Sequence, residues 1–293
     1  MLSGSMLIFG TIGIFRRHIE LPSALIAFYR GVIGSVFLAL LMLIRRRKRK
    51  DEREHIGGKT LLLLGLSGGL IGFNWILLFE AYDRTTVSAA TLCYYMAPTF
   101  VILLSGLLLH ERLDAVKLIC MTLSLAGMVL VSGFAESGVP QGGELAGLAF
   151  GLGAAVLYAC VVLLNKSFGS IEPLTKTVVQ LSSAAIVLLP YLLASGAFTN
   201  VKADSLTLLL LGVVGIVHTG ISYALYFGSM DGLPAQTVAL FSYIDPVTAL
   251  LLSAAFLGER MTLLGAAGAV LILGSAAFCE LYGARKETDM KEN

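Results

Sequence analysis

YYMAPTFVILLSGLLLHERLD at residues 94–114 and SYIDPVTALLLSAAFLGERMT at residues 242–262 align without a gap at an offset of 148 residues. Tyr95 falls on Tyr243, Pro98 on Pro246, Glu111 on Glu259 and Arg112 on Arg260. The register continues upstream, pairing Gly72 with Gly220, Leu77 with Leu225, Phe79 with Phe227 and Asp83 with Asp231. Each copy has a proline, a long apolar run and a Glu-Arg pair. Self-similarity over so long a period marks a duplicated structural unit rather than a local motif.

The surrounding chain says what kind of unit this is. Of its 293 residues 57% are hydrophobic and 14% charged, whereas soluble domains carry about 25% charged residues. The charges gather in residues 45–59 and 280–293, and uncharged runs fill the rest: 60–79, 85–109, 118–135, 145–165, 177–201, 205–230 and 261–279. Each reaches or nears the ~18–20 residues that cross ~30 Å of hydrocarbon as a helix. This excludes a soluble globular enzyme, a nucleic-acid binder and a disordered chain. Cys93, Cys120, Cys160 and Cys279 lie inside apolar runs with no CxxC or Cys/His spacing, so they read as small core residues and not as disulfides or metal ligands. The apolar stretch from Met1 has no basic region before it and no convincing cleavage site, which favours direct insertion over a signal peptide.

Ten candidate helices emerge when segments with one ionisable residue are included: 1–15, 21–44, 60–80, 86–109, 115–134, 145–165, 174–194, 205–229, 233–257 and 262–281. The connections are short, as in ESGVPQGGE at 136–144. The expected fold is an all-α integral membrane protein of ten transmembrane helices in two five-helix repeats, 1–135 and 144–282, with a tail at 283–293. Five crossings are an odd number, so the second copy runs inverted, as in many secondary transporters. The basic residues orient it. With both termini cytoplasmic, fifteen of 21 lie inside and five outside (Arg16, Arg17, Arg84, Lys202 and Arg260), while Arg30 sits within a span. Most of that vote comes from the RRRKRKDERE loop at 45–54.

The doubled pattern of Pro, apolar run and Gly/His-Glu-Arg, with HERL at 110–113, GERM at 258–261 and AFYRG at 27–31, resembles the EamA repeat of the drug/metabolite transporter superfamily. The resemblance spans essentially the whole chain. It implies transport of small metabolites such as amino acids, nucleobases or quaternary amines, often outward, by ion coupling or facilitated diffusion. The first span departs from it, offering only residues 1–15 before Arg16.

Ionisable groups at membrane depth cost a few kcal/mol or more, so each is a functional candidate. Arg30 lies about 14 Å and Asp245 about 17 Å into their helices at ~1.5 Å per residue, near the midplane where repeat transporters place their sites. Asp245 precedes Pro246, which removes a backbone donor and frees a carbonyl one turn earlier. Its carboxylate suits a substrate amine or a coupling proton, or a structural ion pair with Arg30. At 100° per residue Ser242 and Thr248 share its face and Tyr243 lies about 160° away; across the repeat this geometry selects Tyr94 ahead of Tyr95. His218 and Ser222 form an i,i+4 pair in the eighth span, with Asn74 and Trp75 on the corresponding third span. The expected lining is therefore Asn74, Trp75, Tyr94, Tyr95, His218, Ser222, Tyr243 and Asp245, with Tyr158 and Gln180 as weaker additions. Pro98 and Pro246 are expected hinges. Asp245, Arg30 and His218 are the candidates for coupling or a structural ion pair.

Plainer roles compete with these. Trp75 and the tyrosines suit interfacial belts, and Asn74 and Ser222 suit interhelical hydrogen bonds of about 0.6 kcal/mol. Glu111–Arg112 and Glu259–Arg260 sit at helix ends and read as caps and interfacial ion pairs. Gly65–Gly69, Gly68–Gly72 and Gly147–Gly151 have GxxxG spacing and fit seams within one subunit or between two. The leading function is a plasma-membrane transporter that exports amino acids or similar metabolites by alternating access. Choline-like uptake through an aromatic cage of Trp75, Tyr94, Tyr95 and Tyr243 is the runner-up. No cofactor or metal is expected, and the partners are a small-molecule substrate and the lipid bilayer, with the chain a monomer or homodimer. GxxxxGK[ST] and HExxH are absent, which argues against ATP drive and against an intramembrane metalloenzyme.

Overall fold

The structure, a computed structural model, describes residues 1–49, 56–108, 115–131, 142–166, 168, 171–199, 203–230, 244–259 and 261–292. Tyr243, Glu111, Arg112 and Arg260, named above, lie outside them. All regular structure among the described residues is helical: α1 Leu2–Gly10, α2 Ile12–Arg17, α3 Ser23–Arg49, α4 Gly58–Arg84, α5 Val87–Tyr94, α6 Ala97–Leu108, α7 Ala115–Val131, α8 Gly143–Lys166, α9 Pro173–Ala194, α10 Ser205–Val213, a π-helical segment Val214–Ile221, α11 Ser222–Met230, α12 Ile244–Phe256 and α13 Leu263–Glu292.

Six of these helical stretches are long and apolar enough to cross a bilayer: Ser23–Arg45, Gly58–Arg84, Gly143–Asn165, Pro173–Ala194, Ser205–Tyr226 and Leu263–Gly283. Shorter apolar helices cover Val87–Val101, Ala115–Val131 and Ile244–Phe256. Large apolar side chains face outward all around the bundle, including Leu62, Ile186, Leu193, Leu209, Leu251 and Val270. A surface this apolar is stable only against lipid. The chain is a multi-pass membrane protein.

Local chemistry explains several helix starts. Thr86 caps α5 by accepting from the Ala89 N–H at 3.0 Å, and Asp204 caps α10 by accepting from Thr207 N–H at 2.8 Å. Pro173 opens α9, where its missing N–H costs nothing. Three spans expected to be continuous are not. The first is interrupted at Thr11, whose N–H and hydroxyl both bond the Ile8 carbonyl. The fourth is interrupted at Tyr95–Met96, so that Pro98 falls in the first turn of a new helix, where proline is tolerated, and not in a helix interior. The eighth passes through the π segment, where one extra residue is accommodated per turn.

At the centre of the bundle α4 packs on α3, α8 and α9. The GxxxG glycines named above face neighbouring segments within the chain, those of α4 against α9 and those of α8 against Thr85 and α5. A Cβ on Gly68 would meet the Gln180 carbonyl and Ser183 of α9, and one on Gly151 would sit 2.8 Å from the Cys93 Cβ of α5. Buried Leu25, Ile26, Trp75, Phe79, Leu181 and Leu188 form the main core here. A second cluster, with Leu92, Met96, Ala155 and Ile272, joins α5 to α8 and α13. α1 lies across α11 and α12.

Candidate substrate site

A buried polar cluster collects where α2, α3, α4, the π segment, the α5–α6 break and α12 meet. Arg30 on α3 is 4% exposed. Its guanidinium lies 4.3 Å from the Trp75 ring centroid, with Phe79 at 6.0 Å, and its Nε donates to Thr219 Oγ1 at 2.8 Å. Thr219 in turn donates to the Val214 carbonyl at 3.1 Å, five residues back. Ser222 does the same to Val217 at 3.0 Å. The π register therefore turns these hydroxyls onto their own backbone, and Thr219 presents its oxygen to Arg30.

Asp245 does not pair with Arg30. Its Oδ2 accepts from the Tyr95 hydroxyl at 2.8 Å, and the structure contains no Arg30–Asp245 ion pair among the described residues. Glu80, another possible partner for Arg30, bonds Arg84 at 3.1 Å instead. The helical projection that placed Tyr94 on the Asp245 face fails because α5 ends at Tyr94 and Tyr95 belongs to the break. Tyr94 stands edge-on to Tyr95 at 6.0 Å and tilted against Tyr158 at 5.6 Å. The phenols of Tyr223, Tyr94 and Tyr82 and the Asp245 carboxylate lie within electrostatic range of Arg30.

His218 is 1% exposed. Its Nε2 is 2.7 Å from Thr11 Oγ1, and the Phe15 ring stands edge-on at 4.7 Å. Thr11 Oγ1 also lies 2.7 Å from the Ile8 carbonyl oxygen, so this hydroxyl bridges the backbone of α1 and the buried imidazole.

Asn74 and Gln180 join helices rather than opening onto the cluster. Asn74 Nδ2 donates to the Ala154 carbonyl of α8 at 2.6 Å, and Gln180 Nε2 reaches Ser67 at 2.7 Å and Asn165 at 3.1 Å. Pro246 is buried in the first turn of α12, and Pro98 lies in the first turn of α6. Glu259 accepts from the N–H groups of Val87 at 2.8 Å and Ser88 at 3.1 Å, so it caps α5 from the far end of α12, and Arg17 sits 3.6 Å from it. Thr11, Thr219, Tyr82 and Tyr223 were not expected in or near the cluster. The 148-residue offset could have found Tyr223, which it pairs with Trp75, but no sequence signal marks a π turn.

A multi-pass helical bundle with a charged cluster buried at membrane depth is the architecture of a membrane transporter. The sequence pattern of the EamA-like transporter family matches residues 1–133 and again 145–280, and the chain belongs to that family. It is 30% identical over 273 residues to the uncharacterized transporter YxxF of Bacillus subtilis (strain 168), covering 93% of this chain and 86% of that protein. It is 29% identical to the protein RarD of Salmonella typhi over 84% of this chain and 81% of that one. A solved crystal structure with 22% identity superposes at a TM-score of 0.65, covering 94% of this chain and 95% of the other, a likeness of fold.

Proposed function

We propose that this transporter moves small zwitterionic metabolites, amino acids above all, outward across the plasma membrane by alternating access. The two halves, 1–135 and 144–282, are inverted repeats that rock about Pro98 and Pro246, with both termini cytoplasmic. The carrying observation is that Arg30 and Asp245 share one buried cluster, each satisfied by a neutral hydroxyl and neither by the other. Two opposite charges held apart at membrane depth are costly. A ligand bearing one carboxylate and one ammonium recovers that cost by meeting both.

Choline-like uptake fits less well. A quaternary ammonium needs the faces of its aromatic cage, and the Arg30 guanidinium already lies over Trp75. The test is flux of an amino-acid panel into proteoliposomes. Asp245→Asn keeps the shape and the Tyr95 hydrogen bond while removing the charge, and is expected to cut flux at least tenfold with the folded fraction unchanged. Undiminished flux of every accepted substrate across pH in that variant would refute the role of Asp245. Preferential flux of quaternary amines would replace the substrate class.

A further inference from the structure

A cavity of about 350 Å³ lies away from the polar cluster, between α6, α7, α8 and α13. Its size falls at the lower end of the ~300–1,000 Å³ typical of ligand sites. Its shape follows from how α7 and α13 meet. They touch at backbone distance where a Cβ on Gly127 would lie 2.7 Å from the Gly268 carbonyl. One turn from Gly127 on α7 and about two turns from Gly268 on α13, Ser124 and Ser275 bond at 2.7 Å. Next to that pair, Cys120, Lys117, Ala276 and Cys279 line the cavity. Lys117 is two turns from Ser124, about 10 Å at ~1.5 Å per residue. The walls are otherwise mostly apolar, with Val101, Val162 and Tyr158 among them. Leu118, Ile119 and Phe278, on the same two helices, face outward to lipid.

We infer that this cavity is a binding site for an anionic phospholipid of the surrounding leaflet, one acyl chain entering between α7 and α13 and the phosphate held at Lys117. An acyl chain gains little by leaving lipid for an equally apolar cavity, since there is no hydrophobic drive between the two. The pocket supplies shape for the chain, and selection among lipids falls to the charge at Lys117. A lysine ammonium carries three donors and can take a phosphate oxygen beside any bond it already makes. One basic residue at the surface sets a preference of about fivefold for an anionic over a zwitterionic headgroup. One wall is Tyr158, whose ring is tilted against Tyr94 beside Tyr95 and Asp245, so an occupant reaches the polar cluster through ring contacts.

Native mass spectrometry of the full-length chain, titrated with phosphatidylglycerol or phosphatidylcholine of matched chains, tests this without using transport. The wild type is expected to retain one phosphatidylglycerol with about fivefold preference. Lys117→Gln is expected to bring that preference to unity, and Ala276→Trp, which fills the cavity, to remove the retained lipid of either kind. Equal retention of the two lipids by the wild type overturns the inference, as does an unchanged preference in Lys117→Gln. Because Lys117 is at a partly exposed helix end, that variant reads out even if Ala276→Trp does not fold.

Discussion

Arg30 shows how a residue can be conspicuous in sequence while its partners are not. A lone arginine at membrane depth announces itself by its cost, and so do His218 and Asp245. The sequence could not say that Arg30 would lie on Trp75 and bond Thr219, because that pairing depends on the π register of another span. Thr219→Val keeps the volume and removes the hydroxyl that accepts from Arg30. A hydrogen bond to a charged group contributes about 1.5–3 kcal/mol, so thermal unfolding in detergent is expected to show a loss of that order. Arg30→Lys keeps the charge but loses the planar stack and the Nε donor, and proteoliposome flux should fall at least tenfold while the fold persists. Wild-type flux in Arg30→Lys would mean that charge alone suffices and that the stacked geometry does not matter to transport.

At the scale of elements, hydropathy located the described helices well, and it located their interruptions poorly. Thr11, the Tyr95–Met96 break and the Val214–Ile221 segment all lie within runs whose polarity does not change. Hydropathy responds to lipid contact, whereas these breaks are set by hydrogen-bond register within the backbone. That is why Tyr95 reaches Asp245 although a straight helix would have turned Tyr94 toward it. The small-residue spacings were legible as seams, but the tightest approach of α7 to α13 uses Gly127 and Gly268, which no GxxxG motif contains. Gly127→Ala would place a Cβ 2.7 Å from a carbonyl oxygen, and overpacking of this kind costs about 1–3 kcal/mol. Gly274→Ala, on the same α13, meets nothing within 4 Å and should be neutral or stabilise by up to about 1 kcal/mol. Matched thermal melts of the two variants check the contrast, and equal melting temperatures would show that this seam is not tight.

For the whole molecule, the ion pairs and polar bridges at one end of the bundle tie several helices together. Arg16 binds Asp83 and so joins α2 to α4. Glu259, just beyond α12, takes the α5 N-terminus and lies 3.6 Å from Arg17, while Ser88 bonds Ser253 at 2.6 Å. These contacts link α2 and α5, within residues 1–133, to α12, within residues 145–280, the two stretches that the family pattern matches. The proposed alternating-access cycle would break some of them whenever that end opens, and their strength would then set part of the balance between the two states. Glu259→Gln retains size and one acceptor oxygen but gives up the charge facing Arg17 and the charge-assisted bonds to two N–H groups. At about 1.5–3 kcal/mol for such bonds, the open population at this end should rise tenfold or more. Ala90, fully buried on α5 just beneath the tie, is a suitable reporter position. In a background without the four native cysteines, Ala90→Cys is expected to react with a membrane-impermeant maleimide at least several times faster when Glu259→Gln is added. If the rate does not change, the Glu259 contacts are an ordinary helix cap and the opening of this end is governed elsewhere.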